Sequence, residues 1–280
     1  GNPFSRYGIE AVCVSCRARI RCPSEKLISA QWPMGDSNAP TRSEYANRVP
    51  RRYTSDPEYR PIGGLLHHYT SVDALLSILK TRSLWATNIR FLNDDSESEL
   101  GLSLMKRVAE EARATSTGLD SEILGFASEW LDRQERPSAA VYVLSLSTAS
   151  SQLGQWRGYT RYGHGVCLSF NSGALVRRMQ MQGWTFQHCR YRRDSQLAWA
   201  DAILSRLRRE AATVFGGSQS YTREAFRASL ETCLSELLQV AATIKHDAFE
   251  QEQEVRFISP MIQLDDPRIR FRTGSTTRIP

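Results

Sequence analysis

The short apolar run Leu65–Tyr69 reads as a strand, and the spacing then lengthens: Leu75, Leu76 and Leu79 recur three and four residues apart, the stripe of an amphipathic helix over 72–80. Thr70-x-x-Asp73 supplies a capping signature at its start. A second strand is expected over 84–88. After the polar turn at Asn93, Asp94 and Asp95, long helical patterns run over 96–114 and 121–133. Strands return at 140–147 and 165–170. The segment between them, with Gly154, Gly158 and Gly163, reads as a loop that carries Trp156, Arg157 and Tyr159, a usual place for binding residues. Helices over 172–182, 196–215 and 223–246 enclose a strand at 186–191, and the chain closes with strands at 255–259 and 269–272. Residues 1–60 show no sustained period and read as an irregular extension ahead of a domain over 61–280. Irregularly spaced strands and helices predict an α+β fold. Neither GxxxxGK[ST] nor GxGxxG occurs, so doubly wound nucleotide folds lack support.

The densest chemistry lies near the C-terminus, where Glu250, Glu252 and Glu254 lead into the apolar strand at 255–259. In an extended segment, period-two spacing puts the three carboxylates on one face, which suits acid/base work or recognition of sugar hydroxyls. Arg256 is expected to turn away from Glu254. His67 and His68 are adjacent, so a strand sends them to opposite faces, with His67 facing solvent or structural. This arrangement, together with the absence of HExxH and of paired CxxC motifs, makes metal ligation a poor fit. Cys13, Cys16 and Cys22 form half of a zinc-like pattern without a fourth neighbour, and Cys167, Cys189 and Cys233 read as small buried residues. GxSxG is absent, so a nucleophile elbow is not expected. His164, between two glycines, is a candidate mobile base, and Asn93 and Asp94 read as a turn and helix cap.

Bulk properties change this picture little. An apolar fraction of 41% and a charged fraction of 24% are ordinary for a globular chain of 280 residues. No apolar run approaches the length of a membrane span, and the start lacks a secretory pattern, so a cytoplasmic location and no membrane partner are expected. The net charge is +6. Residues 1–60 carry ten Arg/Lys against six Asp/Glu, a balance of +4, so the basic bias sits mostly in the extension and forms no dense basic run that would mark a nucleic-acid surface.

The segments HYTSVDALLSILKTRSLWATNIRFLND, VYVLSLSTASSQLGQWRGYTRYGHGVCLSF and KHDAFEQEQEVRFIS resemble, in order, the bacterial domain-of-unknown-function family numbered 2971 over residues 65–273. More distantly, a His-Tyr-Thr strand followed by Leu-x-x-Ile-Leu looks like the opening of ADP-ribosyltransferase-like domains. That second resemblance implies a split-sheet core with several flanking helices and NAD as substrate in a cleft. It places a ribose contact on His68, with Tyr69 and Thr70 beside it. Pocket support falls on Ser145 and Ser147, the catalytic carboxylate on Glu254, and an acceptor-activating role on Glu252. The chemistry has its own logic. Breaking the N-glycosidic bond of NAD builds an oxocarbenium-like ribose, and a carboxylate bonded to the neighbouring hydroxyl is held more tightly in the transition state than in the ground state. Arg157 suits a pyrophosphate, and Trp156 or Tyr159 suits stacking on a base. The acceptor would be a protein or nucleic acid, and no metal is needed. Two other classes remain open: a non-catalytic nucleotide- or RNA-binding module using Arg157 and Trp156, and a metal-dependent phosphoesterase or nuclease using the same carboxylates.

Overall fold

Alternation along the strands determines how this fold is built. The computed structural model describes residues 64–92, 95–133, 139–159, 165–215, 234–273 and 278–279, and the backbone of 8–13 and 19–23. Its fold is mixed α+β, with an open sheet and several helices. Eight strands run in the order β2-β1-β7-β3-β6-β9-β8, with β4 paired to β6 off this path. They are β1 (Gly8–Cys13), β2 (Arg19–Pro23), β3 (Leu65–Thr70), β4 (Thr87–Asn88), β6 (Tyr142–Ser147), β7 (Val166–Asn171), β8 (Thr185–His188) and β9 (Glu254–Ile258). Two small antiparallel pairs complete the strands: β5 (Ala139–Ala140) with β10 (Ile262–Gln263), and β11 (Arg272–Thr273) with β12 (Arg278–Ile279). β1 and β2 lie within the stretch read from the sequence as an irregular extension. They pair antiparallel with each other, and β1 pairs antiparallel with β7. The candidate zinc half-site has Cys16 outside the described residues.

The chain divides into two compact units. One comprises Gly1–Ala86, Leu144–His188 and Gln251–Phe257; the other comprises Thr87–Val143, Cys189–Glu250 and Ile258–Pro280.

In the first unit, Leu66 from β3, Leu144 and Leu146 from β6, Val166, Leu168 and Phe170 from β7, Phe186 from β8, and Val255 and Phe257 from β9 form one apolar cluster. All take alternate positions on their strands, so they define a single apolar face. Helix α1 (Val72–Thr81) adds Leu75, Ile78 and Leu79 to it, and α5 (Ser172–Gln180) adds Leu175, Val176 and Met179. Full burial contributes about 1.5–3 kcal/mol for each large side chain. The cap of α1 is Ser71 and not Thr70: Ser71 Oγ accepts the Ala74 N–H at 3.1 Å. The helix stops at Arg82, whose φ of 54° is left-handed and whose N–H donates to the Ile78 carbonyl at 2.7 Å. Asn171 ends β7 and caps α5 in the same way, accepting the Ala174 N–H at 2.9 Å.

The segment expected as a glycine-rich loop is a helix, α4 (Leu153–Tyr159). Its glycines did not prevent this, because Gly154 and Gly158 face open space and a glycine inside a helix costs only about 1 kcal/mol. The start of α4 is tied down by Tyr69, whose hydroxyl donates to the Ala149 carbonyl at 2.7 Å and accepts the Gln152 N–H at 3.3 Å.

The second unit is mainly helical: α2 (Asp95–Ala114), α3 (Gly118–Asp132), α6 (Arg193–Phe215) and α7 (234–241) bury a large cluster that includes Met105, Leu124, Leu204, Leu207, Leu234 and Leu237. Gly101 on α2 lies directly against the Ala241 carbonyl, so any side chain there would collide with backbone. Several buried polar groups of this unit are bonded to one another. Gln196 Nε2 donates to the carbonyls of Arg190, Tyr191 and Lys245. Lys245 and Glu97 form a buried ion pair at 3.0 Å, and the Arg190 guanidinium stacks over the Trp199 ring at 4.3 Å. Asn93, Asp94 and His164 lie outside the described residues, as does most of the expected helix over 223–246.

Candidate active site on the polar face of the sheet

Side chains opposite the apolar cluster form a second face of the first unit, and this face is polar yet buried. Counting back from Leu66, Leu144, Leu168 and Val255 assigns it His67 and Tyr69 from β3, Ser145 and Ser147 from β6, Cys167 and Ser169 from β7, and Glu254 and Arg256 from β9. The registers agree, since His67 stands opposite both Ser147 and Ser169. Of these side chains only Ser145 is half-exposed. Polar groups removed from water must find partners, and these do.

Glu254 and Arg256 are two residues apart on one strand, which places them on the same face; the expectation that Arg256 turns away is corrected. Arg256 Nε donates to Glu254 Oε1 at 2.7 Å and Nη2 donates to Oε2 at 3.1 Å, a two-pronged fork. Both groups are buried, at 6% exposure for Glu254 and 2% for Arg256.

The three glutamates do not share a strand face. Residues Asp247–Glu252 form a 3-10 helix, and the strand starts only at Glu254. Glu250 is exposed and pairs with Arg192 at 3.4 Å. Gln253 is the joint between helix and strand, with a left-handed φ of 45° that is strained for a residue other than glycine. Its carbonyl accepts the Thr148 N–H at 3.1 Å, and the Glu252 carbonyl accepts from Ser147 Oγ at 2.7 Å. Ser147 therefore holds the backbone just ahead of the carboxylate. Glu252 itself is half-buried.

The histidine pair also differs from expectation. His67 is buried on the polar face, where its Nδ1 shares a hydrogen bond with Ser169 Oγ at 2.9 Å. Burial lowers its pKa below the ordinary histidine value. His68 lies on the opposite face, level with Leu168, and its Nδ1–H donates to the Ser145 carbonyl at 3.3 Å. Burial lowers its pKa too, partly offset by that carbonyl. Thr70 shares the face of His68.

Tyr69 meets Trp156 of α4 edge to face, with ring centroids 4.9 Å apart. Burial pushes the Tyr69 hydroxyl up to about 12, helped by Cys167 beside it, and burial pushes the Cys167 thiol up to about 11. Both groups are protonated at neutral pH, so neither is a ready nucleophile. Arg157 is exposed on α4, and Tyr159 closes that helix with its side chain outside the described residues.

The structure thus gathers Tyr69, Ser145, Ser147 and Glu254 on one face, adds His67, Ser169 and Arg256, which sequence reasoning had not put there, and moves His68 and Thr70 to the other. The missing signal was parity: the apolar residues of each strand identify the core-facing positions, and their neighbours then fall on the polar face. Among the described residues, no group of three His, Cys, Asp or Glu could hold a metal ion, and no helix is long and apolar enough to cross a membrane. No curated protein and no solved structure matches the chain. Over residues 155–257, from α4 through Arg256 and the end of the apolar run on β9, the chain is similar to a family of proteins of unknown function, DUF2971.

Proposed function

We propose that the protein cleaves NAD and transfers ADP-ribose to a macromolecular acceptor, a protein or a nucleic acid, with Glu254 as the catalytic carboxylate. The observation that carries this reading is the position of Glu254: buried on a polar sheet face, held by Arg256, with Ser145 and Ser147 on the neighbouring strand β6 and His67 on β3, the strand beyond it. As the bond from ribose C1′ to the nicotinamide nitrogen lengthens, nicotinamide leaves with the electron pair and positive charge builds on the ribose. A carboxylate accepting a hydrogen bond from the adjacent ribose hydroxyl stabilises that charge. Its orientation is fixed in advance by the Arg256 fork and by the Ser147 bond to the chain just ahead of it, so little is spent on reorganising it during the reaction. Glu252, half-buried immediately before the left-handed joint, takes the proton of the incoming nucleophile. Arg157, exposed on α4, suits the pyrophosphate, and Trp156 suits stacking on a base. His67 replaces His68 as the histidine that shares the face of Glu254.

The test follows nicotinamide release by wild type and Glu254→Gln, each with and without a cell lysate as acceptor source. Release falls by about a hundredfold in the variant while NAD still binds, the loss typical of removing one hydrogen-bond partner of the transition state. No binding and no release by folded wild type rejects the reading. Binding that survives Glu254→Gln without any turnover, and that weakens steeply with salt, points instead to a nucleotide- or RNA-binding module.

A further inference from the structure

Gln187 is a buried polar residue that the reading above leaves without a role. It lies on β8, the neighbour of β9 in the sheet. Phe186 packs in the apolar cluster, 4.9 Å from Phe257 between ring centroids, so alternation turns Thr185 and Gln187 to the polar face that also carries Glu254 and Arg256. Gln187 is 4% exposed, and its Oε1 has no hydrogen-bond partner among the described residues. Folded proteins satisfy nearly all such groups, because an unpaired buried acceptor costs stability without return. Ser147, Ser169, His67, Glu254 and Arg256 on this same face are all bonded, which makes the unfilled acceptor conspicuous.

We propose that Gln187 is a specificity-determining residue of this site, and that its amide oxygen accepts a hydrogen bond from a donor group of the ligand. The inference rests on the NAD reading, under which that donor is a ribose hydroxyl or the carboxamide N–H of nicotinamide. Bound ligand then supplies the partner that the free protein lacks. The acceptor selects for ligands with a donor at that point, since a ligand lacking one leaves the oxygen unpaired in the complex.

Gln187→Met removes the amide and nearly keeps the side-chain length, which separates this role from a structural one. Thermal unfolding of the free protein and calorimetric titration with NAD are measured for wild type and variant. A binding role predicts a midpoint at or above that of wild type, because an unpaired buried group has been removed, together with a Kd raised about tenfold to a hundredfold. A repeat with the deamidated dinucleotide, which carries a carboxylate in place of the carboxamide, identifies the donor. Discrimination by wild type that disappears in the variant assigns the carboxamide, and equal weakening of both dinucleotides assigns a hydroxyl. A variant that melts below wild type shows an amide that holds the fold together and overturns the proposal. So does an unchanged Kd in a variant whose wild type binds. If wild type binds neither dinucleotide, the NAD reading fails and the role of Gln187 falls with it, a result distinct from the loss of Gln187 alone.

Discussion

Replacing Arg256 by Met tests the central geometry through stability, independently of any ligand. Arg256 and Glu254 are 2% and 6% exposed and joined by two hydrogen bonds of 2.7 and 3.1 Å. With charge centres about 4 Å apart and an effective dielectric near 20, their attraction is on the order of 4 kcal/mol. Methionine keeps much of the arginine stem but leaves the carboxylate buried without its arginine, and breaking a buried pair from one side costs about 3–5 kcal/mol. Adding Glu254→Gln to Arg256→Met removes the stranded charge, and most of the loss is then recovered. Urea unfolding followed by tryptophan fluorescence gives the free energies of wild type, both single variants and the double variant, and the cycle isolates the coupling. A loss below about 1 kcal/mol for Arg256→Met, the value of a solvent-exposed pair, would refute the reasoning. A double variant no more stable than Arg256→Met would refute it equally.

Acid titration tests the burial of His67. Its folded pKa lies below the ordinary 6.5, so between those two values the unfolded chain holds a proton that the native state does not, and stability rises with pH through that window and is complete above it. His67→Gln flattens the fall in urea midpoint on acidification below pH 6.5, leaving the share of His68, whose shift has the same sign; an unchanged slope would place His67 in water. In the second unit, Gly101→Ala drives a methyl group into the Ala241 backbone and costs at least about 1–3 kcal/mol, while Gly125→Ala meets only the flexible end of Arg113, 2.9 Å away, and costs less. Equal unfolding midpoints for these two variants would show that α2 and α7 do not approach as described.

Much of the fold was legible because hydrophobic period reports burial. The helices at 72–81, 95–114, 118–132 and 193–215 carry regular apolar stripes, and each lies within a few residues of its expected limits. α4 was missed because Gly154 and Gly158 are loop residues by propensity, whereas Tyr69, 83 residues away from Gln152, fixes the start of that helix. No local rule reveals such a tether. The site was half legible. Glu254, Ser145 and Ser147, which the structure puts on one sheet face, stood out in the sequence as acidic and hydroxyl side chains in apolar strands. The glutamate run was misread because the left-handed turn at Gln253, a residue with no particular preference for that conformation, breaks the alternation just before it matters. The choice between His67 and His68 needed the parity of the whole strand, and Leu65 and Leu66 together blurred it; only Leu66 is fully buried.

The two-faced strands separate two jobs that most cores combine. Positions 66, 144, 146, 168, 255 and 257 carry the packing, and positions 67, 145, 147, 169, 187, 254 and 256 carry polar groups, although the two sets interleave residue by residue. Under mutation and selection, such a sheet behaves as a socket with a fixed backing. Its polar positions can be exchanged in matched sets, as long as every hydrogen bond is made again, and the hydrophobic half need not be repacked. Diversity among relatives sharing this architecture should therefore concentrate on alternate residues of β3, β6, β7, β8 and β9, a period-two signature of changing ligand chemistry on an unchanging frame.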